Sequence, residues 1–145
     1  MTPEEFKTEA QGIFDQVVAH LRAQGKRSKQ AMEHGLYRCL YHHPDGLKCA
    51  VGCLIPAADY KPVMEKHEMH EVLEMVAQPL RAKLLRHEKL LGDLQNLHDN
   101  ILVDGWEGGL LQVAQNHNLM FIGKNITAAI VANKETVNVS SATTS

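Results

Sequence analysis

The sequence predicts a small, mainly α-helical single domain that can include one short β-hairpin. Its 145 residues suit one domain that buries a core without disulfides or metal. Apolar residues recur three and four positions apart in several stretches, which is the period of an amphipathic helix. The apolar share of 44% and charged share of 22% argue against wholesale disorder. We expect the domain to span 1–122 and 123–145 to form a partly flexible C-terminal extension.

The first predicted helix runs from Pro3 to Gln24. Thr2 and Glu5 match a capping box around Pro3, and Gly25 supplies a left-handed stop. One face of this helix carries the regularly spaced apolar residues Phe6, Ala10, Ile13, Phe14, Val17, Val18 and Leu21.

The next stretch predicts a short strand and then a buried helix. Residues 36–41 (LYRCLY) read as one arm of a hairpin whose partner strand is not evident, and 42–46 (HHPDG) read as a turn. In DGLKCAVGCLIP, apolar residues at helical spacing predict a short helix capped by Asp45 and ended by Pro56. A buried strand is the alternative for this segment.

Three further helical patterns follow. One covers about 67–77 and is interrupted by Pro79; the second runs from Leu80 to Ile101 as a leucine-rich packing seam. Asp104 and Glu107 bracket a further capping box, which predicts a last helix carrying Leu110, Leu111, Ala114 and His117. The sequon at 125–127 has no meaning without export.

Charge and composition exclude several functions. The formal net charge of −2 argues against a general nucleic-acid binder. The acidic start MTPEEFKTEA does not resemble an export signal, and no apolar run of about 18 residues predicts a membrane helix. Three cysteines cannot all pair within one chain, which favours a reducing compartment. We therefore expect a cytoplasmic protein without a membrane partner.

Three pieces of the chain resemble a known family. These are YRCLYHHPDGLKCAVGCLIPAADY (37–60), LLGDLQNLHD (90–99) and the helix that follows Trp106, within a span from Gln11 to Leu119. They resemble a family of small accessory proteins encoded by bacteriophages and prophages. The resemblance implies action inside a bacterial host cell, where such proteins disable or shield a host factor or capture small nucleotide signals. It supplies no catalytic residues.

The predicted function is therefore non-enzymatic capture of a small anionic, nucleotide-like ligand as a host-defence inhibitor. Residues 26–48 hold five lysines and arginines against Glu33 and Asp45, a local excess of +3. Gly46 is expected to open a helix whose free amides attract anions, and two tyrosines could stack on a base. The predicted ligand-binding residues are Lys26, Arg27, Lys29, Tyr37, Arg38, Tyr41, Gly46 and Lys48. A solvated basic loop is the alternative.

Zinc is a second prediction for the same region. Thiolate and imidazole ligands near a turn suit zinc, and the alternative cluster comprises Cys39, His42, Cys49 and Cys53, with His43 beside it. However, Cys49 and Cys53 also fit an apolar stripe, in which a free cysteine behaves as a small hydrophobe. We expect no obligatory cofactor.

Two other surfaces give an alternative function, that of a protein–protein inhibitor or structural adaptor. Leucines 85, 90 and 97 fall outside the packing seam, and their exposure would favour a homo-oligomer. Every charged residue between Leu90 and Gly123 is acidic: Asp93, Asp99, Asp104 and Glu107. His98 lies on the seam, where a buried, hydrogen-bonded histidine is expected. Asp99, adjacent on the helix, is expected to point elsewhere.

Overall fold

The computed structural model of the protein describes residues 1–124 and shows a small, mainly α-helical domain. Within these residues, no helix is long and apolar enough to cross a membrane. The predicted sequon and nearly all of the predicted C-terminal extension lie outside the described residues. The elements in chain order are α1 (Pro3–Gln24), β1 (Lys29–Ala31), β2 (Tyr37–Cys39), α2 (Met69–Met75), α3 (Leu80–Arg86), α4 (Glu88–Asn100) and α5 (Trp106–Asn116).

Helix α1 confirms its predicted bounds and both of its ends. The Glu5 amide donates to Thr2 Oγ1 at 3.1 Å, and the Thr2 amide donates to the Glu5 carboxylate at 3.0 Å. Gly25 ends the helix at φ 65°. Six of the seven predicted apolar residues are buried, whereas Phe6 remains 43% exposed.

The hairpin is confirmed, and its missing partner is the polar segment Lys29–Ala31. β1 and β2 are antiparallel, with Lys29 opposite Cys39 and Ala31 opposite Tyr37. The chain reverses through a 3-10 turn (Glu33–Gly35), in which His34 and Gly35 adopt φ values of 60° and 73°. Left-handed backbone at two consecutive residues lets the strands reverse within a short loop.

The helix predicted for DGLKCAVGCLIP is wrong. His42 and Lys48 form an isolated antiparallel bridge, Gly46 has φ 92°, and only Gly52–Leu54 form a 3-10 turn. Residues Cys49, Ala50, Val51, Leu54 and Ile55 are nevertheless buried. The apolar spacing therefore reflects an irregular buried segment. Because Gly46 is left-handed and opens no helix, the predicted helix N-terminus for anions is absent from this segment.

The second half of the domain consists of short helices. The predicted seam from Leu80 to Ile101 is two helices, α3 and α4, because the backbone breaks at His87 (φ −112°, ψ 28°). Helix α5 begins after a 3-10 turn and has no side-chain cap, so the predicted capping box at its start is wrong. Glu107 pairs instead with Arg22 of α1 at 2.8 Å.

The core lies between α1, α4, α5 and the buried segment that follows the hairpin. Leu90 and Leu97 are only 3% and 2% exposed, and Leu85 is half-buried. The premise that leucines 85, 90 and 97 lie exposed is therefore wrong for two of them. Self-association stays a prediction without that support.

Candidate functional site

The hairpin is an exposed arm of the domain. Every residue from 29 to 38 is exposed, on both faces of the two-stranded ribbon. Side chains alternate between the faces of a strand, and the register therefore places Lys29, Ala31, Tyr37 and Cys39 on one face. Arg38 lies on the other face, where its guanidinium donates to Gln30 Oε1 at 3.0–3.1 Å.

Two cationic side chains surround the ring of Tyr37. The Lys29 Nζ lies 4.8 Å from the ring centroid, and the Arg27 guanidinium carbon lies 5.9 Å from it. Arg27 Nη1 also donates to the Tyr37 hydroxyl at 2.9 Å, and Nη2 donates to the Ile101 carbonyl at 2.6 Å. The Tyr37 side chain stays 44% exposed. We call Arg27, Lys29 and Tyr37 the hairpin site.

The hairpin site has no counter-ion among the described residues. Across residues 1–124, none of the five predicted cations (Lys26, Arg27, Lys29, Arg38 and Lys48) forms an ion pair with a carboxylate. The Nε of Arg27 is buried and has no hydrogen-bond partner. A guanidinium has five N–H donors, so Nη1 and Nη2 of Arg27 each keep a second N–H beside the bonds to Tyr37 and Ile101.

The structure spreads the other predicted ligand residues over different surroundings. Tyr41 is half-buried and donates its hydroxyl to the His67 carbonyl at 3.1 Å, so it is not free to stack on a base. Lys48 sits at the bridge beneath the arm, where its amide donates to Gln24 Oε1 at 2.9 Å. Lys26 is exposed beside the arm. Only Arg27, Lys29 and Tyr37 of the predicted set come together around one ring.

A buried hydrogen-bond chain attaches the arm to α4. The Ser28 amide donates to His98 Nε2 at 3.0 Å, and the Ser28 hydroxyl donates to the Leu40 carbonyl at 2.7 Å. His98 Nδ1 lies 2.7 Å from an oxygen of Asp99. Gln95 Nε2 donates to both oxygens of that carboxylate at 3.2 Å. Ser28 and His98 are completely buried.

This chain of hydrogen bonds determines the tautomer of the His98 ring. A peptide N–H can only donate, so Nε2 must be the acceptor and Nδ1 carries the proton that bonds to Asp99. The expectation that Asp99 points away from His98 is wrong. Asp99 lies next to the last residue of α4, and its carboxylate folds back towards the ring.

The four residues of the predicted zinc cluster do not share a site. In the part of the chain that the structure describes, only Cys39, His98 and Asp99 bring three such ligand atoms within 4.8 Å of one another. His42 instead bonds the Gly52 carbonyl at 2.8 Å and stacks on Tyr60 at 4.3 Å. Cys53 donates to the Ala50 carbonyl at 3.1 Å.

The Cys39–His98–Asp99 group fits zinc poorly as it stands. If Nδ1 of His98 bound the ion, the ring proton would move to Nε2 and face the Ser28 N–H. Burial, the charge of Asp99 and a hydrogen bond to Asp99 raise the pKa of the Cys39 thiol to about 12. A metal would therefore have to displace the Cys39 thiol proton, shift the His98 proton to Nε2 and break the bond from Ser28.

The same bonds bear on acid–base chemistry. His98 resembles the histidine of a catalytic triad in bonding a carboxylate through Nδ1, but its Nε2 is taken by a backbone amide. It has no free lone pair with which to accept a proton from Cys39 or a bound molecule. In this conformation the group positions the arm.

Three of the four carboxylates in the acidic strip are already hydrogen-bonded within the domain. Asp93 pairs with His117 at 2.6 Å, Glu107 pairs with Arg22, and Asp99 belongs to the chain beneath the arm. Asp104 is exposed. A docking surface made of four free carboxylates is therefore not present in the described residues.

Sequence reasoning missed a groove at the N-terminal end of α4, the end away from His98. It has a volume of about 540 Å³ and lies between the first half of α1 and the junction of α3 with α4. Its apolar lining consists of Phe6, Ala10, Leu85, Leu90 and Leu119. We call it the α1 groove. The one sequence signal for it was Phe6, an aromatic residue on the apolar stripe close to the start of the helix.

The comparisons with known proteins leave the family open: no family model, no curated protein and no solved structure matches this chain.

Proposed function

We propose that this chain is a binding protein that captures a small anionic ligand with an aromatic ring, such as a nucleotide, at the hairpin site. The proposal keeps the expected setting, a phage-type accessory protein that counters host defence in the bacterial cytoplasm. The observation that carries it is the position of Arg27 and Lys29 around an exposed Tyr37 ring, with no carboxylate of residues 1–124 paired to either cation.

The chemistry of the hairpin site suits such a ligand. Arginine and lysine bind phosphate through charge-assisted hydrogen bonds, and an exposed tyrosine ring offers a stacking surface to a base. Arg27 already contacts Tyr37 and Ile101, which orients the guanidinium before a ligand arrives. A pre-oriented side chain loses less entropy on binding.

The base of the arm supports the same function. Ser28 joins the arm to His98 through a buried bond, so the position of the neighbouring Arg27 and Lys29 is set by α4. A site held on a rigid element binds more tightly than one on a loose loop.

Isothermal titration with adenosine mono-, di- and triphosphate tests the proposal. We expect saturable binding that is weakened at least tenfold by Lys29→Gln and by Tyr37→Leu. Arg38→Gln, on the other face of the same ribbon, and Lys61→Gln, an exposed lysine outside the hairpin, are matched controls expected to bind as the native protein does. Equal losses in Arg38→Gln and Lys29→Gln would reduce the site to a general basic surface and contradict the proposal.

A protein partner is the second candidate, and exposed apolar residues favour it. Leu36 and Leu102 are 64% and 74% exposed. Arg27 bonds to Tyr37 and Ile101, which are the sequence neighbours of these two leucines. Aromatic, arginine and apolar groups together are typical of interface hot spots. If this candidate is right, Leu36→Asp and Leu102→Asp abolish host-protein binding in a purified pair, while nucleotides show no saturable binding.

A further inference from the structure

The α1 groove exists because α3 and α4 do not continue as one helix. At His87 the backbone leaves helical geometry, and the imidazole is buried against the ring of Phe6 at a centroid distance of 4.3 Å. The step between the two helices opens a recess along α1. Its volume of about 540 Å³ falls in the range of about 300–1,000 Å³ found for small-molecule sites.

The carboxylates around the α1 groove are bonded to cations or histidines, whereas two lysines in its lining are not paired with a carboxylate of the described residues. Glu9 is bound by Arg86 at 3.0 Å and by His87 at 2.8 Å. Glu88, in the groove wall, is bound by His70 at 2.6 Å. The lining residues Lys7 and Lys89 pair with no carboxylate of the described chain. Within the part of the chain that the structure describes, the walls therefore present two ammonium groups without an ion-pair partner, while the nearby carboxylates are already bonded.

An apolar lining next to Lys7 and Lys89 suits a ligand that has both an apolar part and a negative charge. We propose that the α1 groove binds an amphipathic anion, namely an aliphatic or aromatic carboxylate whose apolar part lies on Phe6, Leu85 and Leu119. Its carboxylate faces Lys7 and Lys89. The apolar part would bury surface that is now open, such as the 43% exposed Phe6, at a gain that scales with the covered area. This site is separate from the hairpin site and does not depend on it.

Titration of the full chain with decanoate, followed by calorimetry, tests this inference. We expect one saturable site and at least tenfold weaker binding of decanol, which has the chain without the charge. The double variant Lys7→Glu with Lys89→Glu should lose at least tenfold in affinity. Its control, Lys61→Glu with Lys66→Glu, makes the same charge change at exposed positions outside the groove lining.

A third variant probes the apolar part. Phe6→Ala removes an exposed ring from the groove wall, and we expect weaker binding of decanoate and decanol alike. Urea unfolding of each variant verifies that the domain is folded.

Two outcomes overturn the inference. One is decanoate binding that does not saturate in the millimolar range. The other is equal affinity in the Lys7/Lys89 variant and its Lys61/Lys66 control. The test is independent of the hairpin site because Lys29→Gln and Tyr37→Leu should leave decanoate binding unchanged. Decanoate binding that follows those two variants would place the ligand on the arm and likewise contradict the groove.

Discussion

His98 Nδ1 lies 2.7 Å from the carboxylate of Asp99, although the two residues are neighbours in sequence at the end of α4. On the other side of the ring, Nε2 accepts the amide of Ser28, which is 70 residues away. One imidazole thereby joins the end of a helix to the start of an exposed hairpin. The position of Arg27 and Lys29 on that arm follows from this bond.

Among the glycines, we expect the addition of a methyl group to lower stability most at Gly52. A Cβ at this position would lie 1.9 Å from the Tyr41 carbonyl oxygen, a backbone atom that cannot move without the bridge beneath the arm. We expect Gly52→Ala to lower the free energy of unfolding by about 3 kcal/mol or more, as overpacking against backbone does. Urea unfolding monitored by the fluorescence of Trp106, the only tryptophan, measures it.

Gly12 is the matched control for Gly52. It lies in the exposed interior of α1, and a Cβ there meets no atom within 4 Å. Alanine favours a helix over glycine, so Gly12→Ala should raise the free energy of unfolding by about 0.5–1 kcal/mol. Equal effects at the two glycines would mean that the close approach at Tyr41 does not exist in solution.

The thiols should react slowly. Burial is the main cause that raises the pKa of Cys39 and of Cys53 to about 12, and burial also raises the pKa of Cys49. For Cys39, a pKa of about 12 in place of 9.0 lowers the thiolate fraction at pH 8 about a thousandfold. We expect the native protein to react with Ellman's reagent far more slowly than it does in urea. A fast native phase of one equivalent, lost in Cys39→Ser, would contradict this environment.

Some features of this fold are local enough to be predicted and others are not. The ends of α1 could be predicted because Thr2, Glu5 and Gly25 act within a few residues of one another. Strand β1 could not, because Lys29–Ala31 is exposed and polar and pairs only through its backbone. The apolar residues of 47–55 follow a helical spacing by coincidence. The segment is buried from several sides, so its apolar positions do not report a period.

The same reasoning applies to the candidate sites. Basic residues at 26–29 identified the region of the arm, but the separation of Arg38 from Lys29 depends on the strand register. The α1 groove depends on a helix break at His87 and on packing across the domain, where Glu9 and His87 are 78 positions apart. Neither the strand register nor this long-range packing can be detected from a local sequence pattern.

Glu107 makes stability depend on pH. Its hydrogen bond from Arg22, and further contacts with Lys124, hold the pKa of the Glu107 carboxyl below its ordinary value of 4.5. The stabilisation is therefore complete above about pH 4.5 and is lost as the pH falls through the lowered folded-state pKa. We expect Glu107→Gln to be less stable than the native protein at pH 7 and to approach it at pH 3.

The control for Glu107 is Glu33→Gln at the tip of the hairpin, an exposed carboxylate without an ion pair among residues 1–124. It should change stability little at either pH. If the Glu107→Gln deficit is as large at pH 3 as at pH 7, the lost interaction is not the ionised pair with Arg22.

His98 joins the base of the arm to α4. Replacing it with alanine leaves a cavity beside Trp106, whose ring centroid lies 5.9 Å from that of His98, and leaves the buried Ser28 N–H without an acceptor. The two effects together should cost about 3–5 kcal/mol of unfolding free energy. Urea unfolding measures this loss, and amide hydrogen exchange at Ser28 and Leu40 shows whether the base of the arm opens.

His98→Gln separates the hydrogen bond from the ring. Its side-chain oxygen is an acceptor that can take the Ser28 N–H in place of Nε2, whereas the aromatic ring is lost. We therefore expect a smaller loss of stability than in His98→Ala and slow exchange at Ser28. Asp99→Asn should fall between the native protein and His98→Ala, because Gln95 and Cys39 still contact the side chain while the charged acceptor is gone. Fast exchange at Ser28 in the native protein would show that the arm is not held through His98, and Lys29 and Arg27 would then lack a fixed position.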